Sequence, residues 1–262
     1  MIVVFHDLFF QPAIAPLLEI ASVTSTVRLG PAALNPYTLH PVEIAGQIAA
    51  LDLASDGRAF LGLVSGAWLD RLGLEQPRPV ETVREAAEIV RRLLAGDRSG
   101  FRGDVFELAA GAGLEYEPRR REVPLLIGAW RPRMAALARE LADEVKIGGC
   151  ANPDMVRLMR EWLGAAGPRI AVGAVTVVDR DGDAARERAR EKVQMYLDVV
   201  GELDPTLPPG TAPLEKFVFA GTPGEIVSHV EELVAVGLHR VEFGDPEGLD
   251  LLLSEVVPAL RR

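Results

Sequence analysis

The feature that most constrains this chain is a regular alternation of short apolar runs with longer amphipathic stretches. Short apolar runs are typical of buried strands, and stretches with apolar residues at helical spacing are typical of helices that cover a sheet. The alternation therefore predicts βα units on a parallel sheet. The predicted strands are residues 2–5, 27–34, 59–64, 123–128, 145–147, 170–178 and 240–243. The predicted helices are residues 13–22, 42–54, 80–94, 132–141, 153–163, 183–199, 223–236 and 249–260.

A single barrel domain over residues 1–262 is the simplest organisation that this pattern allows, because no shift in composition marks a domain boundary. A chain of this length suffices for one α/β barrel. Two insertions interrupt the alternation, near residues 97–121 and 201–215. The first contains a predicted hairpin at 101–108, and the second is Pro-rich and predicted to be a mobile excursion. We count seven strands, whereas a complete (β/α)8 barrel has eight.

Composition excludes several classes of function. The net charge of −10, from 28 basic and 38 acidic residues, argues against a nucleic-acid partner, because Lys and Arg supply that affinity. We expect no membrane partner, because no apolar run approaches the ~20 residues of a membrane span, and the start has no basic leader region. The single Cys150 excludes an internal disulfide and fits a cytoplasmic protein. The four histidines lack metal-ligand spacing, so we expect no metal.

The stretch 29–41 is the clearest candidate for a binding loop. A predicted strand runs into a polar loop in which Pro31 and Pro36 bracket Asn35, and an alanine-rich helix follows near His40. Ligands of parallel α/β proteins bind at the carboxyl ends of the strands. The alternative interpretation of Asn35 is local turn chemistry.

Other candidates also follow predicted strands, and each has a structural alternative. His6 has a reference pKa of ~6.5 and could donate a proton near neutral pH, and Asp7 could orient it; either could instead cap a helix or a loop. Arg131 and Arg133 could clamp a phosphate, or form a solvated helical turn. Trp130 could wall a ring pocket or simply pack.

The sequence VRLGPAALNPYTLHP at 27–41, with AALDLASDGRAFLGL at 49–63, resembles the luciferase-like family of TIM-barrel oxidoreductases. Ile127-Gly-Ala, Ala142-Asp-Glu and Gly221-Thr-Pro-Gly-Glu continue the resemblance in the same order. The most similar branch is the deazaflavin-dependent one that includes methylenetetrahydromethanopterin reductase. The resemblance implies an α/β fold of the TIM (β/α)8-barrel type of the bacterial luciferase-like class, entered at the family's second strand. The first strand and helix are therefore expected to be missing.

The resemblance also implies an enzyme. We expect an oxidoreductase that transfers a hydride between deazaflavin coenzyme F420 and a small or pterin-like organic substrate. The alternatives are a monooxygenase of the same fold that uses flavin mononucleotide (FMN), and a degenerate member that binds a flavin without catalysis. Exposed strand edges at an incomplete barrel invite pairing with another chain, so we expect a homodimer.

Site residues carry over from the resemblance by position. Members of the family have a non-prolyl cis peptide behind the ring of the bound flavin or deazaflavin, and by position this bond would be Ala32–Ala33. The resemblance also implies a polar contact to the cofactor at Asn35. The family's Asp-His pair has the reverse order here, so the catalytic candidates are His6 and Asp7. Deazaflavin dehydrogenases that act on sugar phosphates carry a Glu shortly after the family's fourth strand, whereas residues 66–68 of this chain contain no acidic residue. The remaining expected cofactor contacts are Ser65, Gly66, Asp70, Gly128, Trp130, Arg131, Arg133 and Gly148.

Overall fold

The computed structural model describes residues 1–261, which form two compact units. The first unit comprises residues 1–128 and 140–143, and the second comprises residues 129–139 and the chain from residue 144 onward. Both are built from βα elements, as the alternation predicted. The organisation as one barrel domain stays a prediction.

The first unit contains six strands and three helices. The strands are β1 Ile2–Val4, β2 Leu29–Pro31, β3 Leu61–Leu63, β4 Phe101–Arg102, β5 Glu107–Leu108 and β6 Leu125–Gly128. The helices are α1 Ile14–Val23, α2 Pro41–Ala54 and α3 Pro79–Ala95, followed by Gly96 at a φ of 78° as the predicted C-cap.

Parallel pairing brings four strand ends of this unit to one edge. β1 pairs with β2, and β3 pairs with β6. Single bridges at Leu29–Ala59 and Leu34–Leu63 join the second and third strands. Glycine is required for this approach, because a Cβ on Gly62 would lie 2.2 Å from the carbonyl oxygen of Pro31.

The hairpin formed by β4 and β5 confirms the prediction for residues 101–108. The buried carboxylate of Glu85, on α3, anchors the turn of this hairpin. It accepts hydrogen bonds from the backbone N–H groups of Asp104, Val105 and Phe106, at 2.6, 3.0 and 2.8 Å. One carboxylate therefore satisfies three backbone donors that the hairpin itself leaves unpaired.

The second unit holds the remaining elements. Its strands are β7 Glu144–Gly148, β8 Arg169–Val178, β9 Val218–Gly221 and β10 Arg240–Glu247. The remaining helices are α4 Pro132–Leu141, α5 Pro153–Leu163, α6 Gly182–Val193, α7 Leu197–Leu203, α8 Pro223–Ala235, α9 Leu249–Leu251 and α10 Val257–Leu260. A π-helical turn, Leu252–Val256, joins the last two helices.

Our count of seven strands was wrong, because residues 1–261 contain eight parallel strands beside the antiparallel hairpin. The missed strand is β9. It pairs with residues 175–178 of β8, whereas β7 pairs with residues 169–173 of the same strand. The long β8 therefore carries two short neighbours in succession, and β9 takes no separate place between β8 and β10.

The stretch 183–199 was wrongly predicted as one helix. The chain breaks at residues 194–196 between α6 and α7, and α7 then enters the Pro-rich stretch as far as Leu203. Asp204, the next residue, is buried.

Among residues 1–261, no helix is both long and apolar enough to cross a bilayer. No group of three or more His, Cys, Asp or Glu side chains within residues 1–261 is placed to hold a metal ion.

Candidate functional site

The carboxyl edge of the first unit gathers most of the expected site residues. His6 and Asp7 follow β1, Ala32–Asn35 follow β2, Ser65 and Gly66 follow β3, and Gly128 ends β6. The structure confirms the expected cis peptide between Ala32 and Ala33. Because β1 pairs with β2, isolated bridges join β2 to β3, and β3 pairs with β6, all in parallel, their carboxyl ends lie at one edge, where ligands of such folds bind.

Asn35 is buried at this edge, with 3% of its surface exposed. Its Oδ1 accepts hydrogen bonds from the N–H groups of Tyr37 and Thr38, both at 3.1 Å, and from the Thr38 hydroxyl at 3.2 Å. The turn chemistry that we considered is therefore present. The Nδ2 amide group makes no hydrogen bond to any of residues 1–261, so it remains a free donor.

The loop after β3 lies directly against Asn35. Gly66 has a φ of 87°, and a Cβ on it would lie 3.0 Å from Asn35 Cγ. Gln76 Nε2 holds this loop by donating to the carbonyl oxygens of Ser65 and Gly66, at 2.6 and 3.0 Å. Asp70 is exposed in the 3-10 turn Leu69–Leu72, and its side chain forms no hydrogen bond with the described residues.

His6 is fixed toward α1. Its Nδ1 accepts a hydrogen bond from the N–H of Ala13, immediately before that helix, at 3.2 Å. Burial lowers the pKa of His6, and the nearby Asp7 opposes that shift only in part. The ring is therefore neutral at neutral pH, with its proton on Nε2, because Nδ1 acts as the acceptor.

Asp7 differs from His6 in both contacts and titration. Its Oδ1 accepts a hydrogen bond from the N–H of Leu8 at 3.0 Å, and no hydrogen bond joins it to His6 in the described chain. Burial raises the pKa of Asp7, while the Leu8 bond and the charges of His6 and Arg71 oppose the rise. A carboxyl with a raised pKa near a binding edge is a candidate for proton transfer.

The second unit places the other expected contacts near the end of β7. Trp130 Nε1 donates to the carbonyl oxygen of Gly148 at 3.1 Å, and a Cβ on Gly148 would meet no atom within 4 Å. Arg131 donates to the carbonyl oxygen of Glu202 at 2.7 Å, so part of its guanidinium is engaged. Arg133 is exposed, and its side chain has no polar partner within residues 1–261. A phosphate clamp by these two arginines stays a prediction.

Sequence reasoning missed a buried polar cluster in the second unit. Asn152 caps α5 by accepting from the N–H of Asp154, and its Nδ2 donates to Asp204 at 2.8 Å and to the Thr206 hydroxyl at 2.9 Å. The cluster fastens the segment after α7 to the start of α5. The only signal in the sequence was Asn152-Pro153, a capping residue before a first-turn proline. Burial raises the pKa of the adjacent Cys150 to about 12, which makes this thiol unreactive.

Comparison with known proteins assigns the family. A family model described as luciferase-like monooxygenase matches residues 5–240. The chain belongs to this family. A 5,10-methylenetetrahydromethanopterin reductase of Archaeoglobus fulgidus is 29% identical over 94% of this chain and 86% of the relative. An F420-dependent glucose-6-phosphate dehydrogenase of Microbacterium testaceum is 27% identical over 98% of this chain and 85% of the relative.

Similarity to solved structures confirms the expected fold class. The coenzyme F420-dependent tetrahydromethanopterin reductase from Methanopyrus kandleri superposes with a TM-score of 0.84 at 24% identity, over 98% of this chain and 90% of that chain. An F420-dependent secondary alcohol dehydrogenase gives a TM-score of 0.81 at 19% identity, over 99% and 90% of the two chains. The chain thus has the α/β fold of the luciferase-like TIM-barrel class.

Proposed function

We propose that this chain is a coenzyme F420-dependent oxidoreductase that transfers a hydride between the deazaflavin and a small or pterin-like organic substrate. The Nδ2 donor of Asn35, which has no hydrogen-bond partner within residues 1–261, is the observation that carries this proposal, because an unpaired amide donor at the strand ends is a group to which a ring carbonyl would bind. Relatives and solved structures that are named for coenzyme F420 support the choice of cofactor.

The residues at the edge of the first unit fit a flat heterocycle. Ala32, Ala33 and Gly66 carry little or no side chain, and they flank the Asn35 amide along the strand ends. Asn35 would hold a ring carbonyl, while the backbone of Ser65 and Gly66 would pack beside it. When bound, coenzyme F420 supplies a ring that accepts or donates a hydride, and the protein supplies orientation and electrostatics.

Asp7 is the proton-transfer group in this proposal, and His6 is a positioning residue. Hydride transfer at an oxygen- or nitrogen-bearing carbon requires a proton to leave or arrive, and the pKa of Asp7 is raised by burial toward the range where it can carry one. His6 holds the N–H of Ala13 and thereby fixes the segment that carries Asp7. The order His6-Asp7 is the reverse of the Asp-His order that the family resemblance implies. We therefore assign proton transfer to Asp7 and positioning to His6.

Three further expectations remain proposals. We propose that the chain forms a single barrel domain, works in the cytoplasm and associates as a homodimer. Phe5, Phe9 and Phe10 support association, because they are 53%, 64% and 44% exposed on the segment after β1. Exposed apolar clusters of this kind are typical of interaction surfaces. Light scattering on the purified protein measures the oligomeric state directly.

An FMN-dependent monooxygenase is the second candidate. The FMN-bound oxygenating component of 3,6-diketocamphane monooxygenase has the same fold, with a TM-score of 0.72 at 16% identity. Spectral titration with FMN and with coenzyme F420 separates the two candidates. A non-catalytic member would bind one of them without turnover.

The proposed roles are tested by the substitutions Asp7→Asn and His6→Gln. We expect Asp7→Asn to reduce kcat by about 10²-fold or more while the Kd of coenzyme F420 changes less than about twofold. His6→Gln should weaken both kcat and thermal stability modestly. Asp250→Asn is the matched control, because this carboxylate is exposed and its side chain has no polar partner in the described chain. Full activity of Asp7→Asn would show that Asp7 does not transfer the proton.

A further inference from the structure

Trp68 and Arg71 form a cation–π pair in the loop that follows β3. The Arg71 Cζ lies 5.4 Å from the centroid of the indole ring. Trp68 has a φ of 53°, an uncommon conformation for a large residue, and it directly precedes the 3-10 turn Leu69–Leu72. Leu69 is 2% exposed and anchors this turn in the core. The pair is therefore presented by a turn whose backbone is fixed.

Contacts on both sides of the turn hold it in place. Gln76 binds the carbonyl oxygens of Ser65 and Gly66 before the turn. After the turn, the Tyr37 hydroxyl donates to the carbonyl oxygen of Pro77 at 2.6 Å. These contacts link the cation–π pair to the same loops that surround Asn35.

The exposed side chain of Arg71 forms no ion pair within residues 1–261, although the whole chain carries a net charge of −10. In the same loop, Arg78 pairs with Asp104 at 3.1 Å. The side chains of Asp70 and Glu75, which flank Arg71 along the chain, make no ion pair with it. The positive charge of Arg71 also acts on Asp7, where it lowers the pKa of that carboxyl against the larger effect of burial.

We infer that Arg71, held on the face of Trp68, binds an anionic group of the organic substrate, a carboxylate or a phosphate. A guanidinium presents a planar fork of N–H donors that matches both groups bidentately. Trp68 offers no hydrogen-bond acceptor, so the cation–π contact leaves the N–H donors of Arg71 free to bind an anion. This inference rests on the proposed function, in which the reacting end of the substrate lies near Asp7.

The binding step is tested without cofactor or turnover. Benzoate and phenyl phosphate serve as anionic probes, and benzamide serves as the neutral probe, at an ionic strength held constant with sodium chloride. The readout is the indole N–H signal of Trp68 in the nitrogen-15 spectrum, assigned as the signal that Trp68→Phe removes. The variants are Arg71→Gln, Arg71→Lys and Arg28→Gln.

Arg28→Gln is the matched control, because Arg28 is exposed at the amino end of β2 and its side chain has no polar partner in the described chain. We expect saturable shifts with both anions in the unmodified protein and in Arg28→Gln. Arg71→Gln should weaken anion binding about tenfold, Arg71→Lys should be intermediate, and benzamide should bind weakly to all. Equal affinities in Arg71→Gln and the unmodified protein would overturn the inference.

The anion could instead belong to the tail of the coenzyme, and a second titration separates the two sources. The Kd values of coenzyme F420 and of its riboside without the phosphate tail are compared in the unmodified protein and in Arg71→Gln. We expect the substitution to leave both values within about twofold. If Arg71→Gln weakens the binding of complete coenzyme F420 but not that of the riboside, Arg71 binds the tail of the coenzyme. That result would overturn the assignment of Arg71 to the substrate. If neither deazaflavin binds, the proposed function fails, while the benzoate titration still decides whether Arg71 binds anions.

Discussion

The Asn35 side chain has two roles: Oδ1 stabilises the turn, and Nδ2 is the proposed donor to the cofactor. Two substitutions distinguish these roles. Asn35→Asp keeps an oxygen acceptor for the N–H groups of Tyr37 and Thr38 and replaces the free Nδ2 donor by a second acceptor. Asn35→Ala removes both functions. Thr38→Val is the matched control, because it deletes the hydroxyl bond to Oδ1 and leaves Nδ2 in place.

The expected magnitudes follow from the contacts. Each hydrogen bond to Oδ1 contributes roughly 0.5–1.5 kcal/mol net, so the loss of three in Asn35→Ala should lower the free energy of unfolding by about 2–4 kcal/mol. In Asn35→Asp, retained bonds to a charged acceptor offset part of the cost of burying the carboxylate. We therefore expect a loss of less than about 2 kcal/mol in that variant. Its affinity for coenzyme F420 should still fall at least tenfold, equivalent to about 1.4 kcal/mol, because a donor becomes a negative charge facing a ring carbonyl.

Urea unfolding followed by circular dichroism measures the free energies, and absorbance titration measures the Kd of coenzyme F420. Thr38→Val should lose about 1 kcal/mol of stability with an unchanged Kd. Asn35→Asp binding the coenzyme as tightly as the unmodified chain would refute the role of Nδ2. Asn35→Ala unfolding at the same urea concentration as the unmodified chain would refute the turn contribution.

Three more predictions concern stability. Glu85→Ala should lower the unfolding free energy by about 3 kcal/mol, because three hairpin N–H groups lose a charged acceptor; urea unfolding checks this, and a loss below about 1 kcal/mol contradicts it. Burial lowers the pKa values of His6, His229 and His239, so the unfolded state binds protons first as the pH falls through 6.5. The unfolding free energy should therefore decline from pH 7 to pH 5, and a flat profile would contradict this. Asp7 has a raised pKa in the folded state, so its ionised form costs stability above the unfolded pKa of ~3.9. Asp7→Asn should raise the unfolding free energy at pH 7 relative to the unmodified chain and lose that advantage near pH 3.

Regular elements were predictable where periodicity was strong. Helix α5 has the predicted bounds, and Gly96 ends α3 as the C-cap. Strand β9 was missed because its four residues follow a Pro-rich stretch and precede the clear helix signal of Thr222-Pro223. The break between α6 and α7 was missed because the local sequence keeps helical propensity, and tertiary contacts decide such boundaries.

Side-chain partners were the least predictable part of the site. The resemblance to a known family located the cis peptide at Ala32–Ala33, which periodicity alone does not indicate. The bond from Ala13 to His6 joins residues seven positions apart outside regular structure, and the contact between Asn152 and Asp204 spans 52 positions. Such pairings depend on how the chain packs, so only the folded structure reveals that His6 is fixed toward α1 while Asp7 is not.

The identity of the cofactor is the central claim, and one equilibrium titration tests it most directly. Purified protein is titrated with coenzyme F420 and, separately, with FMN, and the absorbance change gives each Kd. We predict a Kd in the micromolar range for coenzyme F420 and at least tenfold weaker binding of FMN. Tighter binding of FMN, or no binding of coenzyme F420 at millimolar concentration, would contradict the proposed function.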